Sequence, residues 1–221
     1  MGLLDILLGR TRPVAPDLDR LFGLPSAAVT LEAAAGFTPT GHGAVCFATV
    51  EGAAFDDVRQ EVLALLDADA RRHGSRPPLP VGALPPVEVC QDDYGYTWLV
   101  SRREPGDLPA LVGDLHAVNS ALESSGFGPQ LLCSVVGFHT RDDSDQGNGD
   151  GYGYRYGGGR RLGLVYLYKR GTFYPFAPLA EGGERRDNAL ELQVRAALGD
   201  DLQVEQDVSR WFPIWGAPGL G

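Results

Sequence analysis

The sequence predicts an α+β fold, a mostly antiparallel sheet with helices packed on one face. Three observations predict it. Strand-like runs at Val87 to Asp92 and Tyr96 to Arg103 are separated only by Asp93-Tyr94-Gly95, a hairpin connection that dictates antiparallel pairing. Stretches that begin near Ala54 and Asp107 repeat apolar residues every three or four positions, which is the period of a helix. Further apolar strands and a last helix then follow, with no internal repeat.

Taken in order, Leu3, Leu4, Ile6, Leu7 and Leu8 form an apolar cluster backed by Arg10 and Arg12 and closed by Pro13. As a helix it would be two turns long, too short to stand alone in water. Asp17 to Leu24 reads as another short helix, with Gly23 and Leu24-Pro25 as its stop. Gly41 to Val50 reads as a strand. Phe55, Val58, Val62, Leu65 and Leu66 then define an amphipathic helix that runs to about His73. Residues 75–86 hold five prolines and form a stiff connector.

After the hairpin, Asp107 stands where a helix N-cap is expected, with Pro109 in the first turn. Leu108, Leu111, Val112, Leu115, Val118 and Leu122 make one apolar stripe, and Asp114, Asn119 and Glu123 are expected to face away from it. Leu131 to His139, Leu162 to Arg170 and Phe173 to Leu179 are strands. Arg185 to Leu198 is a helix, and Leu202 to Glu205 alternates as a short strand. The chain thus divides into an apolar, short-helix segment over 1–40, a single α+β domain over 41–206 with a mobile loop at 142–159, and an aromatic tail over 207–221.

Composition excludes several functions. The net charge is −10 and Lys169 is the only lysine, whereas a nucleic-acid surface needs clustered cations, so no nucleic-acid partner is expected. No apolar stretch nears the roughly 20 residues that span a bilayer. The start lacks the basic region and cleavage site of a signal peptide, so a cytoplasmic location is expected, peripheral at the inner face of the membrane if the apolar start touches it. Cys46, Cys90 and Cys133 each sit inside an apolar run, without a paired-cysteine motif, and read as buried reduced thiols.

No pattern amounts to an active site. Asp142 to Asp150 alternates carboxylates and glycines, but a calcium loop counted from Asp143 fails at Gly147 and has Tyr154 where its closing Glu should stand. The glycine-tyrosine run 151–159 lacks the Lys-Ser/Thr and the helix of a phosphate loop. His42, His73, His116 and His139 are scattered and read as structural. A non-enzyme is therefore expected, with no catalytic residue, cofactor or metal.

The tail is the exception to this plainness. Trp211, Phe212 and Trp215 place three large rings in five residues, and a loosely held segment rarely carries so much apolar surface. The rings either dock on the sheet or anchor a protein partner, for which Trp is favoured. Trp211, Phe212 and Trp215, with Leu3, Leu4, Ile6, Leu7 and Leu8, are the candidate partner-binding residues. Weak membrane-surface contact through the apolar start, opposed by the negative charge, is one alternative, and an unrecognised enzyme is the other.

Both ends of the chain, together with several internal strings, resemble the PspA-associated PspAB family. The strings are residues 1–13, Leu24 to Thr30, Gly36 to Gly41, Leu108 to Asn119, Gly126 to Gly128 and Trp211 to Trp215. That resemblance implies a role beside PspA, a coiled-coil phage-shock protein that protects the membrane under stress, and it carries over no functional residue. At the level of fold alone, the order of helices and strands is similar to the type III secretion chaperone-like fold of YbjN-type proteins, which implies binding of a protein segment.

Overall fold

Six strands form one sheet in the order β2-β3-β1-β4-β5-β6, with every neighbouring pair antiparallel. They are β1 (Phe37–Ala48), β2 (Val87–Gln91), β3 (Tyr96–Arg102), β4 (Leu131–Thr140), β5 (Arg161–Leu167) and β6 (Thr172–Phe176). The computed structural model describes residues 16–48, 87–140, 159–179 and 183–220, with the isolated helical positions Gln60 and Ala64. Three α-helices lie among the described residues: α1 (Leu24–Ala35), α2 (Leu108–Leu122) and α3 (Asn188–Ala197). The expected α+β architecture is the one observed.

Alternation along the strands separates two faces. Ser134 and Tyr166 point toward the helices, where Asn119 of α2 donates to Ser134 Oγ at 2.9 Å and the Tyr166 hydroxyl donates to the Asp17 carbonyl at 2.8 Å. Their sequence neighbours Cys133, Val135 and Val165 point to the opposite face, and all three are buried. Burial on both faces makes these central strands almost continuously apolar.

Several expectations need correction. Leu24-Pro25 is not a stop. A 3-10 turn over Leu18–Gly23 runs directly into α1, and Pro25 occupies its first turn, where a missing N–H costs nothing. Leu24, Ala27, Ala28 and Leu31 bury the inner side of this helix. β1 begins at Phe37, four residues before the expected start, and the Leu202–Glu205 strand is reduced to a single parallel bridge from Val204 to Phe173. The predicted helix after Ala54 lies outside the described residues apart from Gln60 and Ala64. The proline connector lies wholly outside them.

In α2, Asp107 takes the N-cap position without a side-chain cap bond. Asp114 and Asn119, expected to face water, are buried in the helix-sheet layer. The reason is that the sheet supplies polar partners. Asp114 accepts from Ser101 Oγ at 2.6 Å and pairs with Arg103, while Asn119 Nδ2 also donates to the Leu115 carbonyl at 2.7 Å. Their positions lie within the apolar stripe, and only their chemistry suggested otherwise.

Candidate functional site

The face away from the helices carries a groove of about 910 Å³. Its floor is one register row across four neighbouring strands: Trp98 of β3 faces Cys46 of β1, Cys46 faces Cys133 of β4, and Cys133 faces Leu167 of β5. Cys90 continues the row on the edge strand beyond Trp98. All three cysteines are free thiols. A hydrogen bond with Cys133, reinforced by burial, pushes the Cys46 thiol far up, so Cys46 stays protonated and unreactive at neutral pH. The floor is greasy and internally satisfied.

The tail builds one wall. Trp211 is only 6% exposed; it stacks near Tyr174 (centroids 6.2 Å, planes 19° apart) and its Nε1 donates to the Glu205 carbonyl at 3.1 Å. Trp215 sets its edge against Phe176 at 4.9 Å. The Tyr174 hydroxyl donates to the Phe212 carbonyl at 2.8 Å, and Arg186 Nη1 donates to the Trp211 carbonyl at 2.7 Å. Arg186 is held in turn by Glu191 at 2.8 Å. Phe212 alone among the tail rings turns outward, 60% exposed, beside the groove.

Further along, the tail lies on bare backbone. Gly137 and Gly163 face each other on β4 and β5. A Cβ on Gly137 would come within 2.3 Å of the Gly219 carbonyl oxygen, and one on Gly163 within 3.1 Å of Leu220. Arg161 Nη1 donates to the Leu220 carbonyl at 2.8 Å and closes the contact. The glycines exist at these positions because chain must pass over them.

The two ends of the groove differ in charge. At the β2–β3 hairpin, Asp92 accepts from the Tyr94 and Tyr96 amides at 3.0 and 2.9 Å and from Trp98 Nε1 at 2.9 Å. One carboxylate thereby fixes both the turn and the indole of the floor. The Tyr94 hydroxyl donates to Glu184 Oε1 at 2.5 Å beside it. At the β5–β6 turn stand Lys169 and Arg170, with Arg210 from the tail. Arg170 pairs with Glu205, which also accepts from Thr172 Oγ1 at 3.0 Å and from the Asp207 amide at 3.1 Å. Burial alone would raise the Glu205 carboxyl, but Arg170, the Asp207 amide and Thr172 outweigh it and hold it below the usual range.

The candidate residues thus separate. Trp211 and Trp215 serve as fasteners, Phe212 is presented outward, and Leu3, Leu4, Ile6, Leu7 and Leu8 lie outside the described residues, as does the acidic stretch 142–150. Sequence reasoning missed Trp98, Asp92, Lys169 and Glu184 as one neighbourhood; only strand register reveals it. His42 is held below its usual pKa by burial and by Arg102, and His116 lies 3.4 Å from Asp19. Among the described residues, no cluster of three or more His, Cys, Asp or Glu could hold a metal ion, and no helix is long and apolar enough to cross a membrane.

Fold and groove together define an α+β protein with a six-stranded antiparallel sheet, helices on one face and a tail-walled apolar trough on the other. The chain belongs to the PspAB family, PspA associated protein B, whose family model matches residues 1–219. No curated protein and no solved structure matches it, so the likeness to YbjN-type proteins has no structural neighbour behind it.

Proposed function

We propose that this protein is a non-enzymatic cytoplasmic accessory that binds a PspA-type protein partner in the membrane-stress response. Membership of a PspA-associated family supports the partner's identity. The observation that carries the contact is Phe212, a large ring held outward between two docked tryptophans at the edge of an apolar groove. Backbone anchoring on both sides means that little entropy is lost when a partner covers the ring. Rigid aromatic side chains of this kind dominate binding energy at protein interfaces.

Co-purification of PspA with the full chain and with Phe212→Ala tests the reading. Recovery should fall roughly tenfold in the variant, the loss typical of one interface anchor. Undiminished recovery with Phe212→Ala removes the ring as the contact, and absence of PspA with the unaltered chain removes the partner.

A further inference from the structure

The geometry points to the Trp98–Cys46–Cys133–Leu167 trough as the seat of a short amphipathic helix from the partner, its N-terminal end at Asp92 and Glu184 and its C-terminal end at Lys169. This rests on the protein-binding reading above and specifies what the groove would receive.

The direction of the floor carries the argument. The row crosses three inter-strand spacings, about 14 Å at about 4.8 Å each. That length matches about nine residues of helix at 1.5 Å per residue, or two and a half turns. The floor lies over central strands, each already paired on both sides, so no unpaired sheet edge is offered to an extended segment. Trp98 gives its N–H to Asp92, and the two thiols bond to each other. An extended backbone laid here would bury peptide groups with nothing to bond, whereas a helix brings its hydrogen bonds with it.

Charge sets the polarity. Asp92 stands at the β2–β3 hairpin, where the Glu184 carboxylate, arriving from the segment after β6, meets Tyr94; Lys169 and Arg170 stand at the β5–β6 turn with Arg210 of the tail. Arg170 is engaged by Glu205 and Arg210 by Asp207, and Lys169 stands exposed beside them. A helix carries partial positive charge at its N-terminus and partial negative charge at its C-terminus, so only one orientation is favourable at both ends. A basic first turn and an acidic last turn on the partner would reinforce it.

The experiment uses the full chain and two fluorescein-labelled probe peptides of fourteen residues. Both share one Leu/Ile stripe at helical spacing; one has Arg in its first turn and Glu in its last, and the other reverses them. Anisotropy should show the Arg-first peptide binding roughly tenfold more tightly at low salt, the sum of two exposed charge contacts. The double variant Lys169→Glu with Glu184→Lys should invert the preference, with its melting curve confirming the fold. A proline placed in the middle of the Arg-first peptide should abolish binding. Equal binding of both peptides, no inversion, a tolerated proline, or no binding at all overturns the inference. PspA recovered without any peptide polarity would sink the helix and leave the partner; peptide polarity without PspA recovery would do the reverse.

Discussion

Arg103 holds Asp114 with two arms of its guanidinium, Nε to Oδ2 at 2.7 Å and Nη2 to Oδ1 at 2.6 Å. Asp114 sits in α2 and Arg103 just beyond β3, so the pair ties the helix to the sheet at a site only 4% exposed on the acidic side. Removing one member of such a pair strands the other. Arg103→Ala should destabilise the protein by about 3–5 kcal/mol, seen in urea unfolding followed by circular dichroism. A companion change, Arg103→Met with Asp114→Leu, should cost far less than Arg103→Ala, because both charges leave together. Equal losses would contradict the buried-pair account.

The tail rings should part company under mutation. Trp211→Ala removes a buried indole and its bond to Glu205, at a cost of about 3–5 kcal/mol. Phe212→Ala should stay within about 0.5 kcal/mol of the unaltered protein, as expected of an exposed side chain. Thermal melts of the two variants measure the contrast, and comparable losses would mean that Phe212 is part of the packed wall.

Gly137 should accept no side chain while the tail is in place. Gly137→Ala should cost about 1–3 kcal/mol, the range for overfilling a tight contact, and should quicken proteolysis after Trp215. Deleting residues 217–221 should relieve most of that cost and leave the part due to Thr40, whose hydroxyl would lie 2.8 Å from the added carbon. An undiminished penalty after the deletion would assign the whole clash to Thr40.

Acid should loosen the tail through Glu205. Its folded pKa lies below the unfolded value, so the carboxylate contributes stability above the ordinary Glu range, near 4.3, and that contribution is lost as pH falls through the folded value. Glu205→Gln should flatten this limb of the stability profile and leave the remaining slope to other groups. A profile unchanged below pH 5 would show that Arg170 and Thr172 do not favour the ionised form.

Thiol labelling should follow position in the floor row. Cys90, half-buried on the edge strand, should react first with an aromatic disulfide reagent at pH 8, whereas Cys46 and Cys133 should wait for unfolding. Peptide mapping after timed quenching reads the order. Prompt labelling of Cys46 would mean that the paired thiols open readily to the groove.

What the sequence revealed and what it concealed follow one physical line. The hairpin at Asp93-Tyr94-Gly95, the stripe of α2 and the strands at Leu131 and Leu162 depend on neighbours a few residues apart, and each was legible. α1 departs from expectation because a proline can end a helix or open one, and the fixed φ of Pro25 suits a first turn. Asp114 and Asn119 were placed outside because their partners, Ser101, Arg103 and Ser134, come from other strands. The groove was hidden for the same reason: Cys46 and Cys133 are 87 positions apart in the sequence and become neighbours only once β1 and β4 are in register.

The passage of Gly219 and Leu220 over the paired glycines has a consequence for how the molecule comes into being. Synthesis delivers Trp211 to Leu220 after every strand those residues cover. Until that segment emerges, β4 and β5 hold a bare strip of backbone and a half-walled trough open to whatever else the cell contains. The strap is therefore laid across strands that are already made, and a nascent chain paused before Trp211 would leave that apolar strip unguarded.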